Sequence, residues 1–446
     1  PGNVVYYVAS ACDEISLNPA GDVNLIGFSV RSPFIRGTLD KLEIKPEFPG
    51  RGAYKTARFM YTKKDFTPEA REMMTWLIGS LEDQLVNGVA SRRKLEPATV
   101  REIMDRGPLS ADEALKAGLV DDLEDWYAFS DRLKKKAGND LDFVSLDAYL
   151  KAHQPPSMGP RIAVITAVGA IARGRSGRDA NPLFGGERMG SDTIAAAWRK
   201  VRKTSSIKAV VFRIDSPGGS AVASEIIRQE MERTAKKIPV VVSMSNYAAS
   251  GGYWITCGAR KIIADPATLT ASIGVFGGHL NMDGFWRDKL GITFGRLDSN
   301  RNSAIYGGLE DWTDEQRAIV NRMLDRIYGR FTKLVAASRK MTPEQVDAMG
   351  EGRVFTGQQA LDKGLVDGLG GFDEALAEAK KLAGISPETA VRLVDYPRPE
   401  PWWRRVLERG SGEDSTRQAL TELEKAWRTG ALATPGAVWQ PPIYVR

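Results

Sequence analysis

Apolar runs alternate with amphipathic stretches in the second half of the chain. The segments 161–171 (RIAVITAVGAI), 207–215 (IKAVVFRID) and 238–244 (IPVVVSM) are rich in β-branched residues and predict buried strands. Apolar positions in 220–237 recur with helical spacing, which predicts an amphipathic helix between the last two strands. Strands that alternate with helices indicate an α/β domain built of βαβ units.

The first part of the chain repeats the second. Residues 13–30 (DEISLNPAGDVNLIGFSV) resemble residues 260–277 (RKIIADPATLTASIGVFG), 247 positions later. Residues 114–123 (ALKAGLVDDL) resemble residues 360–369 (ALDKGLVDGL), 246 positions later. A period near 250 that holds over more than 100 residues predicts two tandem copies of one domain.

The repeat sets the predicted domain boundaries. The first copy has no counterpart of the strands that open the second copy, so we expect the front half of the first copy to lie upstream of Pro1. An upstream signal or anchor is expected there as well. The predicted parts are a first copy (1–137), a linker (138–160), a second copy (161–385) and a C-terminal tail (386–446).

Composition excludes several classes of protein. The 62 basic and 56 acidic residues give a net charge of +6 and form no concentrated basic block, so no nucleic-acid partner is predicted. Cys12 and Cys257 are the only cysteines and no metal-ligand spacing occurs, so neither a disulfide framework nor a metal or cofactor site is predicted. No apolar run reaches the ~18 residues that a transmembrane helix needs.

Ser250 is the first candidate for chemistry. It lies in NYAASGGY (246–253), after a predicted strand and before a predicted helix. Unpaired backbone N–H groups and the positive end of the helix dipole meet at such a position and would stabilise an anionic intermediate. The neighbouring alanines and glycines keep the approach open. The alternative is a helix N-cap serine among small packing residues.

The loop 215–220 (DSPGGS) is the second candidate. Gly218 and Gly219 follow a predicted strand and leave backbone N–H groups unshielded, so that the loop can bind an oxyanion. The alternative is an ordinary turn between a strand and a helix. Because this loop and Ser250 follow consecutive strands of one sheet, they are expected to face one cleft.

The two histidines are poor candidates for the proton acceptor of Ser250. His153 and His279 lack an orienting carboxylate at a recognisable position, so a Ser-His-Asp triad is not predicted. A lysine whose pKa is lowered by burial can serve instead. Spacing alone does not select one lysine. Lys55 is attractive because Ala53, Tyr54, Ala57 and Phe59 surround it in sequence, and the alternative is a solvated lysine at a strand end.

The repeat links these candidates. Each of the three candidate residues has a different residue at the matching position of the other copy. The pairs are Ser250 with Asn3, Lys55 with Asn302, and Ser272 with Leu25. Each copy has therefore kept a different half of a possible dyad, which predicts one active site built between the copies.

Four motifs resemble the long, duplicated form of the bacterial protease IV (signal peptide peptidase A) family: DSPGGSAVASE, SMSNYAASGGYWI, ADPATLTASIGVFG and FTGQQALDKGLVDGLG. The likeness covers nearly all of residues 1–385 and implies the Clp-protease/crotonase α/β fold. It also implies that Ser250 is the nucleophile, that Lys55 is the general base and that Ser272 hydrogen-bonds the lysine. The oxyanion hole falls on backbone N–H groups of Gly218, Gly219 and Gly251.

The resemblance further implies a homotetramer anchored in the bacterial inner membrane, with the catalytic domain on the periplasmic side. The implied substrates are cleaved signal peptides, with Val275 and Phe276 expected to line an apolar pocket. The segment after Lys55 departs from the family, because Thr56, Arg58 and Phe59 stand where Ser, an acid and Pro are usual. The alternatives are a non-catalytic peptide-binding or scaffold protein of the same fold and a crotonase-type acyl-CoA enzyme.

Overall fold

A mostly parallel sheet of eight strands lies at the centre of the second copy. The computed structural model of the chain describes residues 1–138, 143–153, 158–178 and 186–398. Six strands follow one another across the sheet in the order Val354–Phe355, Leu269–Ala271, Val240–Ala249, Ile207–Ser216, Arg161–Val168 and Arg392–Tyr396. Two more, Lys261–Ala264 and Gly368–Leu369, continue from Val240–Ala249. The strand Arg392–Tyr396 thus extends the sheet past residue 385, where the second copy was predicted to end.

Helices and short strands surround this sheet. In the second copy the helices are Ser191–Lys203, Ala221–Ala235, Gly251–Trp254, Asp314–Arg339, Pro343–Gly350, Gly357–Asp362 and Phe372–Leu382, with a π-helical turn at Phe285–Lys289. The remaining strands of that copy are Ala170–Ala172, Gly177–Arg178, Glu187–Gly190, Val275–Phe276 and His279–Asn281. The helix Leu146–Ala152 lies in the predicted linker.

The first copy is mainly helical. Its helices are Asn3–Ala9, Arg36–Lys41, Phe59–Thr62, Pro68–Arg93, Pro97–Arg106, Ala111–Lys116 and Trp126–Lys136, with a 3₁₀ turn at Thr56–Arg58. Its strands are Ser16–Leu17, Asp22–Val23, Lys45–Glu47, Gly50–Arg51, Leu109–Ser110 and Asp122–Leu123. Tyr6, Val86 and Val100 are buried in its core.

The duplication predicted from the sequence is visible in matched elements. The helices Pro68–Arg93 and Asp314–Arg339 each have 26 residues. Each is followed directly by a lysine in the left-handed conformation, Lys94 or Lys340. Ion pairs recur at the ends of these helices, Arg93–Asp121 in the first copy and Arg339–Asp367 in the second. The prediction of an α/β protein with two tandem copies is confirmed.

Two antiparallel strand pairs join the copies. Gly50–Arg51 pairs with Val275–Phe276, and Lys45–Glu47 pairs with His279–Asn281. Arg51 also donates to Asp325 on the long helix of the second copy, at 2.5 Å. These contacts fix residues 45–55 of the first copy against the second copy, directly beside the segment that contains Ser272.

The chain divides into two units, Pro1–Asp395 and Tyr396–Arg446, and both copies lie in the first. Within the described residues, no helix combines the length and the apolar character that crossing a membrane requires. The segment 401–407 (PWWRRVL) pairs tryptophans with arginines, as interfacial membrane segments do, but packing onto its own domain or a neighbouring subunit is the favoured interpretation; it lies outside the described residues.

Candidate active site

Ser250 lies at a sharp turn between the central strand and a short helix. The strand Val240–Ala249 ends at the residue before it, and the helix Gly251–Trp254 begins at the residue after it. Its φ of 54° is unusual for a residue with a side chain and costs on the order of 1–3 kcal/mol. A backbone hydrogen bond from its N–H to the Ala271 carbonyl, at 2.7 Å, holds the turn. The strained turn therefore holds the half-buried Ser250 at the end of the sheet.

Lys55 reaches Ser250 across 195 residues of sequence. Its Nζ lies 3.0 Å from Ser250 Oγ, 2.9 Å from Ser272 Oγ and 3.0 Å from the Ser272 carbonyl oxygen. Only 5% of the lysine is exposed. The structure thus brings together the three residues that the sequence singled out from different copies and different motifs.

The charge state of Lys55 follows from its burial. Desolvation lowers the pKa of the amine from 10.5 to about 7, because the ammonium form loses its water. No aspartate or glutamate in the described part of the chain forms an ion pair with it, so no opposite charge offsets that cost. A substantial fraction of Lys55 is therefore a neutral amine at neutral pH and can accept a proton.

Ser272 orients the amine. A neutral amine has two N–H donors and one lone pair, and Ser272 presents two acceptors, its carbonyl oxygen and Oγ. The Ser272 hydroxyl in turn donates to the Gly352 carbonyl at 3.4 Å. With both N–H groups of Lys55 directed at Ser272, the lone pair is left for the Ser250 hydroxyl.

Two backbone N–H groups near Ser250 are unpaired. The Gly219 nitrogen lies 3.1 Å from the point that a Cβ on Gly251 would occupy, so the two glycines are close neighbours. Within the described residues neither N–H donates to another group. The N–H of Gly218 differs, because it donates to Ser216 Oγ at 3.2 Å. Of the three glycines predicted to form an oxyanion hole, Gly219 and Gly251 have free donors.

Gly218 has a steric role at the same place. Its φ is 104°, and a Cβ there would lie 2.7 Å from the Ser250 Cβ. Any side chain at this position would collide with the nucleophile candidate. The glycine pair in DSPGGS therefore permits the close approach of the two loops that the sequence predicted would share a cleft.

The turn at Glu351–Arg353 was not found by sequence reasoning. A Cβ on Gly352, whose φ is 82°, would lie 2.6–2.8 Å from the backbone N, Cα and Cβ of Lys55. The Arg353 guanidinium stacks on the Tyr54 ring at 3.6 Å. The turn therefore packs directly against the lysine. The sequence shows the glycine, but neither the motif around Ser250 nor the one around Lys55 indicates that it packs on the lysine.

The histidines and the matching residues of the first copy lie away from this chemistry. His153 contacts Tyr149, and His279 stacks on Trp312 with ring centroids 4.4 Å apart. Asn3, which corresponds to Ser250, donates from its side chain to the Gly27 carbonyl at 2.6 Å. No histidine forms a hydrogen bond with Ser250 or Lys55 in the part of the chain described.

A hydroxyl, a buried amine and two unpaired backbone N–H groups lie around one point, an arrangement suited to nucleophilic chemistry at the serine. The chain belongs to peptidase family S49, which matches residues 3–140 and 232–386.

Several curated proteins are similar to this chain. Protease 4 of Salmonella typhi is 36% identical over 401 residues, which are 85% of this chain and 62% of that protein. The chloroplastic serine protease SPPA of Arabidopsis thaliana is 30% identical over 403 residues, 88% of this chain and 59% of its own length. A putative signal peptide peptidase SppA of Enterococcus faecium is 32% identical over 210 residues, 47% of this chain and 61% of its own. The chain thus spans about three fifths of the length of these relatives.

Proposed function

We propose that this protein is a serine endopeptidase that uses Ser250 as nucleophile and Lys55 as general base. The observation that carries the proposal is the 3.0 Å contact between Lys55 Nζ and Ser250 Oγ at a buried amine whose pKa is about 7. A general base works best when its pKa lies near the operating pH and it lies within hydrogen-bond reach of the proton it removes. Lys55 meets both conditions.

The acylation step uses the groups already described. Neutral Lys55 takes the proton of Ser250 as Oγ attacks the substrate carbonyl carbon, and the carbonyl electron pair moves onto its oxygen. The N–H groups of Gly219 and Gly251 hold that oxyanion. The protonated lysine then gives its proton to the leaving amine nitrogen as the C–N bond breaks, which leaves an ester on Ser250.

Deacylation uses the same groups, with a water molecule in place of the Ser250 hydroxyl as the attacking group. A water gives its proton to Lys55 and attacks the ester carbonyl, and the second oxyanion occupies the same two N–H groups. The bond to Ser250 Oγ then breaks, and Oγ recovers the proton from the lysine. The cycle needs no metal or cofactor, because the chain supplies nucleophile, base and oxyanion donors.

Apolar peptides are the proposed substrates, with cleaved signal peptides among them. The Enterococcus relative is named a putative signal peptide peptidase, and the Salmonella and Arabidopsis relatives are named as proteases. Val275 and Phe276 are half-buried and follow Ser272 closely in sequence, so an apolar side chain of a bound peptide has apolar surface to contact. Homotetrameric assembly and a position at the periplasmic side of a bacterial inner membrane remain predictions from the family resemblance.

The test is covalent labelling combined with hydrolysis. The purified chain should cleave a fluorogenic apolar peptide, and a fluorophosphonate should add one group to Ser250, identified by mass spectrometry of the labelled protein. Ser224, whose Oγ lies 2.6 Å from where a Gly251 Cβ would be, is a nearby serine that should remain unlabelled. A chain that binds the peptide but neither cleaves it nor reacts at Ser250 would favour the non-catalytic alternative.

The pH dependence of hydrolysis should report Lys55. Below its pKa the amine is protonated and cannot accept the Ser250 proton, whereas above it the neutral base is present. We therefore expect kcat/KM to rise with pH and to level off above an apparent pKa of about 7. The measurement is kcat/KM from pH 5 to 9.5 with a peptide that has no titrating group. An unchanged rate down to pH 5 would contradict the assignment of Lys55 as base.

A further inference from the structure

The guanidinium of Arg58 lies in a cavity that the catalytic steps do not use. The cavity has a volume of about 440 Å³. Its walls combine two aromatic rings and an alanine with five charged or hydroxyl side chains: Phe48, Ala53, Arg58, Phe59, Thr62, Lys63, Thr67 and Glu69. Five of these eight side chains are charged or carry a hydroxyl, so the site suits a charged group with some apolar contact.

Arg58 has no acidic partner. Its Nε–H is buried and donates to no group within the described residues, and Nη1 makes one long contact, 3.4 Å, with the Phe48 carbonyl. No described carboxylate lies within ion-pair distance of this guanidinium. Burial lowers the pKa of Arg58, and the charge of Arg51 lowers it further. A partly buried guanidinium without a counter-ion is costly, and it is the group best suited to bind a carboxylate.

The other charged groups of the cavity leave this donor available. Lys63 is exposed and adds a second positive charge to the wall. Glu69 is the one acid of the lining, and it forms no ion pair with Arg58 or Lys63 within the described residues. An incoming anion therefore meets two cations and one acid, and it does not have to displace a carboxylate from Arg58.

The cavity adjoins the candidate active site. Arg58 ends the 3₁₀ turn that begins directly after Lys55. A Cβ on Gly50 would lie 2.9 Å from Arg58 Nη1 and 3.0 Å from the Val275 carbonyl, so the guanidinium lies beside that strand. On the other side, a Cβ on Gly274 would lie 3.1 Å from Lys55 Cδ. The backbone at 274–275 thus lies close to both the base candidate and the Arg58 guanidinium.

We propose that Arg58 binds a carboxylate of the peptide substrate and thereby selects among peptides, a proposal that rests on the proposed peptidase function. The carboxylate has two possible sources, the C-terminus of the peptide and an acidic side chain. A free C-terminus has a particular consequence. A peptide released by an earlier proteolytic cut ends in a carboxylate, whereas the same sequence inside an intact protein does not. Arg58 would then favour released fragments over intact chains.

Matched peptides test this directly. One apolar peptide is prepared as the free acid and as the C-terminal amide, and a second pair carries Glu or Gln at one position with an amide end. Because hydrogen bonds to charged groups contribute ~1.5–3 kcal/mol, wild type should show kcat/KM at least about ten-fold higher for one acid member than for its neutral partner. Arg58→Met should abolish that ratio yet cleave the neutral peptides within about three-fold of wild type, and Arg58→Lys should keep part of the preference.

Controls separate this proposal from the peptidase proposal. Arg71→Met removes an exposed arginine outside the cavity and should keep the wild-type ratio. The affinity of each peptide for Ser250→Ala is measured by calorimetry, so the carboxylate preference is tested even if hydrolysis is absent. Equal kcat/KM and equal affinity within both pairs would overturn the role of Arg58, as would a preference that persists in Arg58→Met. Absence of hydrolysis with an intact binding preference would overturn only the peptidase proposal.

Discussion

Lys55→Met should lower kcat/KM for peptide hydrolysis by about 10⁴-fold, the loss expected when one member of a catalytic unit is removed. Methionine fills nearly the same buried volume but has no lone pair that can accept the Ser250 proton. Ser250→Ala should cause a loss of the same order, and the double variant should be no slower than either single variant. Lys116→Met, which removes an exposed lysine at the end of the helix Ala111–Lys116, is the control and should retain hydrolysis. A loss below about ten-fold for Lys55→Met would refute the dyad.

The same variant should make the protein more stable at neutral pH. The pKa of Lys55 is about 7 in the folded chain and 10.5 in the reference state, so between these values the unfolded chain binds the extra proton. Stability therefore rises as pH increases through this window and is lowest below pH 7. Keeping the buried amine costs about 4 kcal/mol at pH 7 by this linkage, before its hydrogen bonds to Ser272 are counted.

Urea unfolding at pH 7 and pH 9.5 measures this effect. Wild type should gain stability relative to Lys55→Met between the two pH values, because the methionine variant lacks the titrating group. Equal pH dependence in the two proteins would mean that Lys55 is not the buried, neutralised amine that the geometry indicates. An inactive but stabilised variant also excludes unfolding as the cause of lost activity.

Gly352→Ala should lower kcat/KM by about 100-fold or more without unfolding the protein. A methyl group there would lie under 3 Å from Lys55 N, Cα and Cβ, and the φ of 82° adds strain. Displacing Lys55 by about 1 Å lengthens its contact with Ser250, and a misplacement of that size costs about 10²-fold. Water admitted beside the amine should also raise its pKa, so the rise of kcat/KM with pH should move upward.

Gly350→Ala is the matched control, two residues away. Its Cβ would lie 3.5 Å from the nearest atom, the Cβ of Ile273, which is an ordinary contact. It should therefore keep most of the activity and the wild-type pH profile. If both variants lost activity equally, the effect would come from general disturbance of the turn and not from the position of Lys55.

The sequence predicted the fold class, the duplication and the residues that meet at the site, because these depend on local pattern and on differences between the copies. Ser250 follows an apolar strand and is followed by glycines, and Lys55 is absent from the matching position of the second copy. Both signals are readable without coordinates. Spacing alone did not single out Lys55, and the family resemblance made that choice.

Other features depend on contacts between distant segments, which spacing does not encode. Gly352 matters only because its backbone packs on Lys55, nearly 300 residues earlier in the chain. The absence of an ion pair between Arg58 and any described carboxylate depends on the three-dimensional positions of the acidic side chains, and the sequence does not give them. Likewise, the motif DSPGGS does not distinguish Gly218 from Gly219. In the structure the Gly218 N–H donates to the Ser216 hydroxyl, whereas the Gly219 N–H has no acceptor within the described residues.

The strand pairing between Gly50–Arg51 and Val275–Phe276 has a consequence for the order of events during synthesis. Lys55 emerges from the ribosome 195 residues before Ser250, within a copy that has no serine at the position that matches Ser250. A nascent chain therefore holds an inert amine, and a lone second copy holds a hydroxyl with no proton acceptor. In the proposed mechanism hydrolysis therefore requires the two copies to dock, so the division of Lys55 and Ser250 between them would couple activity to correct assembly.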